Sequence, residues 1–393
     1  MVIKKVFIVV GLGYGDEGKG LATDFLCLHN PESIVIKYNG GHQSGHCVIT
    51  KDGKKHVFSH FGSGSFRNIP TYRSKYCTFE PQSFLTELQI LGFKPIIYVD
   101  EESLLTSYYD VFFNQAIEVS RGKDRIGSTG AGYRTTMERQ EQLKVKLFFK
   151  DILTSRVLNE KLDRIKEYYR TRTNLETSFV FDSFPHELEI KKYLQAVEEI
   201  RNLILDGIII PIKEKEIFLS DKWKTFIFEG SQGILLDQNF GTKPHITLSN
   251  TTSKNAHDIL NKYNEIKFSK SIYYVTRAYQ TRHGIGPFRE RSSNFVLYNN
   301  ENESNQTNEF QGEFRSNFLD IDQLNYALKC DEIYSKGIEK NLLITCLDHF
   351  HTDMIKVFKN NKEIELDYKD IYKKLSCNFN TVKYSFSGCA ELL

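Results

Sequence analysis

The chain has 393 residues, with 52 lysines and arginines against 50 aspartates and glutamates and a formal net charge of +2. This length allows one large α/β domain or two smaller ones, and the balanced charge gives no reason to expect nucleic acid or a membrane surface as a partner. No run of about 18 apolar residues occurs, so no transmembrane helix is predicted. The seven cysteines are scattered, which argues against a disulfide framework or a zinc knuckle and favours a reducing cytoplasm.

A glycine-rich loop follows the first predicted strand. Residues 6–10 are apolar and predict a buried strand, and the segment 13–19 then reads Gly-Tyr-Gly-Asp-Glu-Gly-Lys. Glycines let the backbone approach a ligand closely, and the first amides of a helix predicted over 18–28 can face an anion. The spacing fits a P-loop through Lys19, but Gly20 stands where a P-loop carries a serine or threonine for magnesium. The segment therefore predicts a phosphate site that lacks the usual magnesium ligand.

Asp16 lies inside this loop, where a P-loop has no fixed requirement for an acid. A carboxylate among phosphate-binding amides is electrostatically costly unless a cation or a proton transfer uses it. The loop therefore predicts a nucleotide site whose chemistry runs through Asp16.

The rest of the chain alternates buried strands with amphipathic helices, which is typical of an α/β fold. Strands are predicted over 33–38, 96–99, 225–228, 271–276 and 342–347. Helices are predicted over 103–120, 158–169, 186–205 and 321–333. The polar segment 299–308 is interpreted as a surface loop and a candidate lid. Since no repeat or proline-rich linker divides the chain, we expect one large domain over 1–393 with insertions at about 100–225 and 289–320.

Two glycine-containing motifs lie in the first half of the chain. The segment 39–46, Asn-Gly-Gly-His-Gln-Ser-Gly-His, follows a predicted strand, and in open α/β sheets that edge binds ligands. Alone, a glycine turn with a capping histidine explains it as well. The segment 126–132 has Ser128 and Thr129 between glycines, which suits a second phosphate or a flexible loop.

Three further motifs end later strands. Gln232 offers a paired donor and acceptor to a base edge, and the run 249–252 near it could instead cap a helix. Arg282 is either an anion clamp or a solvated surface charge. Asp348 either accepts hydrogen bonds from a guanine ring or ends a strand at a turn.

Together these motifs resemble those of the adenylosuccinate synthetase family. Their order matches that of the family: Gly-Asp-Glu-Gly-Lys-Gly (15–20), Gly-Gly-His-x-x-Gly-His (40–46), Phe-Glu-Gly-x-Gln-Gly-x-Leu-Leu-Asp (228–237), Ser-Asn-Thr-Thr (249–252) and Ala-Tyr-x-Thr-Arg-x-Gly-x-Gly-Pro-Phe (278–288). The resemblance covers most of the chain. It implies an α/β fold with a P-loop-NTPase-like, mostly parallel central sheet, flanking helices and inserted subdomains.

The resemblance implies a cytoplasmic, homodimeric ligase that joins IMP to L-aspartate with GTP and Mg²⁺ in AMP biosynthesis. Asp16 would take the N1 proton of the purine, O6 would attack the γ-phosphate, and the aspartate amine would displace phosphate from the 6-phosphoryl intermediate. His46 would stabilise the transferring phosphoryl group, and Lys19 would hold the phosphates. Magnesium would bind Asp16 and the carbonyl of Gly45.

Binding residues are also implied by position in the family motifs. The nucleotide phosphates would be held by Gly15, Glu17, Gly18, Gly20 and Gly45. The purine nucleotide would be contacted by Thr129, Gln232, Thr247 and either Asn39 or Gln43. The base of the energy donor would be read by Asp348, near Ser387 and Gly388. Aspartate and neighbouring phosphates would be held by Arg315.

The chain departs from the family pattern at several of these places. Arg315 is the one arginine in the stretch 311–320, where the family has several, and fewer cations weaken the expected binding of a dicarboxylic amino acid. Cys346 replaces the lysine of the guanine motif. The arginine that reaches the partner's IMP in the family has no clear counterpart, and Arg139 and Lys144 are the candidates.

Alternatives to this function stay open. Some relatives of the family act on a 2-amino purine nucleotide (dGMP), but they usually carry a small residue in place of the loop acid, so Asp16 favours IMP. Cys346 leaves ATP as an alternative to GTP. A non-catalytic nucleotide-binding protein would have no reason to retain Asp16, Lys19, His46 and Gln232 together.

Overall fold

The computed structural model describes residues 3–299, 303 and 310–393. Its main feature is a sheet of parallel strands. The strands are β1 (Lys4–Gly11), β2 (Ser33–Lys37), β3 (His46–Ile49), β4 (Lys55–Phe58), β5 (Thr71–Arg73), β6 (Thr78–Phe79), β7 (Ile97–Asp100), β8 (Leu104–Leu105), β9 (Ile209–Ile212), β10 (Thr225–Gly233), β11 (Phe268–Arg277), β12 (Tyr279–His283), β13 (Phe314–Asp320), β14 (Glu339–Thr345), β15 (Met354–Lys359), β16 (Lys362–Asp367) and β17 (Thr381–Tyr384). The α-helices are α1 (Lys19–Leu28), α2 (Pro81–Leu91), α3 (Tyr108–Arg121), α4 (Tyr133–Gln142), α5 (Ser155–Glu176), α6 (His186–Leu205), α7 (Glu214–Phe218), α8 (Lys254–Leu260) and α9 (Ile321–Ser335).

Within the described residues, nine strands form one sheet in the order β17-β14-β11-β1-β10-β2-β5-β7-β9. Every pairing in this sheet is parallel. The carboxyl ends of its strands therefore meet at one edge, and the loops that leave them share one side of the molecule. The predicted α/β fold with a central parallel sheet is confirmed.

The central strand β1 is apolar on both faces because both faces are covered. Val6 and Ile8 belong to a buried cluster that includes Leu324 of α9, whereas Val9 belongs to a cluster with Leu21 of α1. Successive side chains of a strand point to opposite faces, so α1 and α9 cover opposite faces of the sheet. The packing of α1 against the sheet fixes the direction in which this helix leaves the glycine-rich loop.

The strands predicted from apolar runs are all present, as β1, β2, β7, β10, β11 and β14. The sequence pattern misses β5, β9 and β17, which are three or four residues long, because so few residues show no period. These segments form strands because they pair with neighbouring strands of the sheet.

The helix predictions hold for α1, α5, α6 and α9, but the prediction of a helix from residue 103 is wrong at its start. Leu104 pairs instead with Thr78 in a short parallel ladder, and α3 begins at Tyr108. The Ser107 side chain accepts from the backbone N–H of Asp110, whose carboxylate accepts from the N–H of Ser107 at 2.7 Å. Because this capping box satisfies the first helical amides, it sets the start of the helix.

A second sheet, β12-β13-β15-β16, lies at the end of β11. β12 pairs antiparallel with β13, and β13 pairs parallel with β15. Ala278 alone separates β11 from β12, so the chain passes directly from the large sheet into the small one. The side chains of β12 are thereby carried to the edge where the glycine-rich loop lies.

Arg139 of α4 is fully buried, which corrects its candidacy as a residue that reaches a partner subunit. Its guanidinium donates to both carboxylate oxygens of Asp110, at 2.7 and 3.1 Å, and to the Leu105 carbonyl. Tyr169 also donates to Asp110, at 2.7 Å. Asp110 of α3 therefore joins Arg139 of α4 and Tyr169 of α5 inside one subunit. Lys144 is exposed, and its role stays a prediction.

The prediction of one domain with two insertions stays a prediction. Most of the candidate lid 299–308 lies outside the described residues. None of the helices in the described ranges has the length and apolarity that a membrane span requires.

We expect Arg139→Met to lower the free energy of unfolding by about 3 to 5 kcal/mol, because it leaves the Asp110 carboxylate buried without its cation. Urea unfolding of the variant and the wild type measures the difference. Arg156→Gln, which removes an exposed ion pair with Glu160, is the control and should unfold like the wild type. Equal stability of Arg139→Met and wild type would contradict the structural role.

Candidate active site

A cavity of about 790 Å³ opens at the carboxyl edge of the large sheet. Its wall is built from the loops that follow β1, β2, β10, β12 and β14, together with the end of β12 and the loop before α4. The predicted site residues that line it are Gly15, Asp16, Glu17, Gly18, Lys19, Gly20, Gln43, Gly45, His46, Thr129, Gln232, Thr247, Asp348, Ser387 and Gly388. The structure thus brings together motifs that are far apart in the sequence.

Two predicted site residues do not line this cavity. Asn39 exchanges hydrogen bonds with the backbone of Ser231, donating at 3.1 Å and accepting at 2.8 Å, so it ties the end of β2 to β10. Arg315 donates to the carbonyls of Gly284 and Gly286 and stabilises that turn. Both side chains have structural partners, and their predicted ligand contacts stay predictions.

The carboxylate of Glu17 holds the glycine-rich loop together from inside. One oxygen accepts from the backbone N–H groups of Gly13 and Gly15, each at 2.9 Å, and the other pairs with Lys19. A phosphate entering the loop would compete with Glu17 for the ammonium group of Lys19. The Glu17 side chain therefore maintains the conformation of the loop. The sequence pattern did not predict this role.

Gly20 is glycine because its surroundings leave no space for a side chain. A Cβ atom built there would lie 2.7 Å from the Cys47 carbonyl oxygen and 3.1 Å from Cβ of His46. The serine or threonine of a P-loop would clash with this backbone. The close packing brings α1 against the loop that carries His46.

Asp16 has a left-handed backbone conformation, with φ of 63°. Its carboxylate Oδ2 lies 3.3 Å from Nε2 of His283, and its carbonyl accepts a hydrogen bond from Nε of Arg277. Burial would raise the pKa of Asp16, but His283, Arg277 and the charge of Lys19 outweigh burial and hold the pKa below its ordinary value. Asp16 is therefore ionised at neutral pH and can accept a proton or bind a cation.

His46 is held by a buried carboxylate that the sequence analysis did not single out. Its Nδ1 lies 2.6 Å from Oε1 of Glu229, which also accepts from Ser63. Burial lowers the pKa of His46, whereas the Glu229 carboxylate beside Nδ1 acts in the opposite direction. The Glu229 side chain fixes the orientation of the His46 ring. Nε2 is the ring nitrogen that does not contact Glu229.

Glu229 also neutralises a buried lysine. Lys37 Nζ lies 3.6 Å from Glu229 Oε2 and has no hydrogen-bond partner among the described residues. Burial would raise the pKa of Glu229, but Lys37 and the hydrogen bonds from His46 and Ser63 lower it to about 2. Glu229 follows the apolar run at the start of β10, and an acid directly after a buried apolar run was the available signal for it.

Two amide side chains in the cavity wall have unsatisfied oxygens. The Oε1 atoms of Gln43 and Gln232 are buried without a hydrogen-bond partner in the described part of the chain. A buried acceptor without a donor costs about 1 to 3 kcal/mol, which a ligand N–H or O–H would recover. Thr129 and Thr247 add hydroxyl groups to the same wall. This region is therefore suited to a polar ligand with several donors.

The loop that contains Thr129 is positioned by α3. The Asn114 side chain donates to Ser128 Oγ at 2.7 Å and accepts from the N–H of Gly132 at 2.9 Å. Since Asn114 is almost fully buried, the loop has a fixed attachment to the helical part of the chain.

Cys346 and Asp348 form another part of the wall, near Ser387 and Gly388. Cys346 adopts a left-handed conformation, with φ of 59°, immediately after β14. The Asp348 carboxylate is partly exposed and can accept hydrogen bonds from a base. The residues supply an acceptor here but no cation at position 346.

The oxygen ligands in the cavity wall fit magnesium as nucleotide-binding enzymes usually bind it. In the described ranges, His, Cys, Asp and Glu side chains form no cluster of three or more around one point. Magnesium is usually bound by one or two protein oxygens with waters and substrate phosphates, so a full protein cage is not needed. Asp16 supplies an ionised carboxylate, and Gly45 lines the same cavity.

The chain is similar to adenylosuccinate synthetases in sequence. The family model for adenylosuccinate synthetase matches residues 8–382. The adenylosuccinate synthetase of Thermoplasma volcanium is 28% identical over 387 residues, which cover 93% of this chain and 80% of that protein. That of Buchnera aphidicola subsp. Baizongia pistaciae is 31% identical over 289 residues, which cover 72% of this chain and 64% of that protein.

Two solved structures share the fold. Fully ligated adenylosuccinate synthetase from Plasmodium falciparum superimposes with a TM-score of 0.77 at 17% identity and covers 99% of this chain and 98% of that one. Cyanophage S-2L succinoaminodeoxyadenylate synthetase, bound to dGMP and to dATP as an energy donor, gives a TM-score of 0.64 at 14% identity. It covers 99% of this chain and 95% of that one.

We expect Glu229→Gln to be less stable than the wild type by about 3 kcal/mol at pH 7. The pKa of Glu229 is lowered from 4.5 to about 2 in the folded chain, so its contribution is complete above pH 4.5 and is lost as the pH falls toward 2. Urea unfolding at several pH values should show the difference narrowing over that range. The double variant Lys37→Met/Glu229→Gln should recover part of the stability, and a pH-independent difference would contradict this account.

Proposed function

Because the chain belongs to the adenylosuccinate synthetase family, we propose that it joins IMP to L-aspartate, with hydrolysis of GTP, to give adenylosuccinate. One observation carries the proposal: an ionised carboxylate, Asp16, stands in the wall of the nucleotide cavity beside Lys19 and His46. A phosphate cradle alone needs no such acid, whereas activation of a purine N1–H does. A homodimer is part of the same proposal and rests on the family.

The first proposed step moves the γ-phosphoryl group of GTP to O6 of the purine. Asp16 accepts the N1 proton, O6 forms a bond to the γ-phosphorus, and the bond to the bridging oxygen breaks to release GDP. A carboxylate of lowered pKa is a weak base by itself, so the proton moves as the O6–phosphorus bond forms. Lys19 shifts from Glu17 to the phosphate oxygens, and His46, oriented by Glu229, faces the transferring group.

The second proposed step replaces phosphate by aspartate. The neutral amine attacks C6, the bond between C6 and O6 breaks, phosphate leaves, and the new C–N nitrogen loses its extra proton to solvent. The unpaired amide oxygens of Gln43 and Gln232 accept hydrogen bonds from the purine nucleotide and hold C6 in place.

Asp16 and the carbonyl of Gly45 would hold Mg²⁺, which when bound supplies positive charge to the phosphates. The absence of a hydroxyl side chain at Gly20 is compatible with this arrangement, because Asp16 provides a metal ligand four residues earlier.

A second candidate keeps the chemistry and changes the nucleotides. Cys346, in place of a lysine, removes a cation from the wall near Asp348, and the cyanophage synthetase of the same fold is bound to dGMP and dATP. Asp348 supports GTP, since a carboxylate accepts from the N1 and N2 donors of guanine, whereas adenine offers one donor beside an acceptor. Asp16 supports IMP, because the chain retains the acid that N1 deprotonation requires.

The deciding experiment incubates the wild-type protein with IMP or dGMP, aspartate, Mg²⁺ and either GTP or ATP. The absorbance of the succinyl purine is followed in all four combinations. We expect IMP with GTP to give the highest kcat/KM. Faster reaction with dGMP or ATP would support the second candidate, and no product in any combination would contradict the ligase.

We expect Asp16→Ala to form no measurable product while GTP still binds, because the cradle amides and Lys19 remain. Product formation and GTP binding by calorimetry are measured on the same preparation. Asp52→Ala, which removes an exposed carboxylate, is the control and should match the wild type in both. An active Asp16→Ala enzyme would exclude Asp16 as the base.

A further inference from the structure

We propose that His283 is a positioning residue for Asp16: its Nε2–H donates to one carboxylate oxygen and directs the other toward the purine. The inference rests on the proposed function, in which Asp16 is the base. The contact joins the end of β12 to the loop after β1, with 3.3 Å between Nε2 and Oδ2. Both side chains are largely buried, at 17% and 22% exposure, so little water competes for the bond.

The small sheet holds the His283 ring in place. His283 pairs across the sheet with Phe314, and the two ring centroids lie 4.8 Å apart at 46°. The neighbouring Arg282 donates to the carbonyls of Pro287 and His245, at 2.7 and 3.1 Å. With its strand fixed on both sides, the imidazole has little freedom to leave the carboxylate.

The same strand contacts the glycine-rich loop at a second point. The guanidinium of Arg282 lies 4.2 Å from the centre of the Tyr14 ring. Tyr14 and Gln280 both donate to Oε1 of Gln323, at 2.9 and 2.8 Å. The strand and the loop are therefore docked as a unit, and the contact between His283 and Asp16 is part of a continuous interface.

The position of the ring proton follows from the other ring nitrogen. Nδ1 of His283 is buried and has no hydrogen-bond partner among the described residues. A proton on Nδ1 alone would be a buried donor without an acceptor, and it would leave the Nε2 lone pair facing the Asp16 carboxylate. A ring with a proton on Nε2 satisfies the arrangement, because Nε2 lies 3.3 Å from Oδ2 of Asp16.

Asp16 is then held at both of its functional groups. Arg277 donates to its backbone carbonyl, and Nε2 of His283 lies 3.3 Å from its carboxylate. A carboxylate without the second bond can rotate about its terminal torsion, which has a broad energy minimum. Loss of His283 should therefore leave the nucleotides bound but the base misdirected.

The activity test compares His283→Leu with His283→Gln. The leucine fills similar space without a donor, whereas the glutamine amide can place an N–H near the site of Nε2. We expect His283→Leu to lower kcat about 10- to 100-fold with KM values changed less than about 3-fold, as for a displaced catalytic group. His283→Gln should retain kcat within about 3-fold of the wild type.

Several outcomes would overturn the proposal. These are a normal kcat for His283→Leu, an equal loss in both variants, or a raised KM with normal kcat, which would make His283 a ligand-binding residue. Thermal unfolding of both variants separates these results from loss of the fold.

A second measurement does not depend on activity and separates this inference from the proposed function. Protein labelled with ¹⁵N in its histidine rings is studied by NMR, and His283→Gln identifies the His283 signals by their absence. We expect the pattern of the Nε2–H tautomer, shifted in Asp16→Ala and unshifted in Asp52→Ala. A proton on Nδ1 with none on Nε2, or no response to Asp16→Ala, would exclude the contact, whether or not the enzyme makes adenylosuccinate.

Discussion

The site depends on one buried carboxylate, that of Glu17. The Glu17 carboxylate accepts hydrogen bonds from two amides of the glycine-rich loop and from the ammonium of Lys19. The backbone carbonyl of Glu17 accepts a hydrogen bond from Thr345 at 2.7 Å. The loop after β1, the start of α1 and the end of β14 are thus joined at one residue. A loop with this many glycines has high conformational entropy when unfolded, and the internal carboxylate offsets it. The shape of the glycine-rich loop is therefore set by contacts within the chain.

The same design recurs at two other places around the cavity, where a carboxylate has an opposite charge or a donor from a different strand. Glu229 of β10 lies beside Lys37 of β2, and Asp16 lies between Arg277 and His283. Parallel pairing makes this possible, because adjacent strands end at the same edge. The fold and the electrostatics of the site are consequences of one sheet topology.

The sequence predicted the long buried strands and their ligand-binding edge because apolar runs and glycine motifs are local signals. It also placed the loop acid and His46 at one nucleotide site. It did not predict β5 or β9, which only their neighbours define, nor the burial of Arg139, since solvation of an arginine depends on distant packing. Glu229 and His283 lay inside quoted motifs, but their roles depend on partners 183 and 267 residues away, which spacing cannot reveal.

The left-handed residues of the cavity wall show where stability and activity conflict. Among the described residues, the non-glycine residues with positive φ are asparagines, which tolerate it, except for Asp16, Gln232 and Cys346. All three lie at or beyond the carboxyl end of a strand of the central sheet and line the cavity. Glycine would relieve about 1 kcal/mol of strain at each position. A search for thermostable variants by strain relief would therefore select against Asp16 and Gln232, to which the proposed reaction assigns roles, and should leave these two positions unchanged.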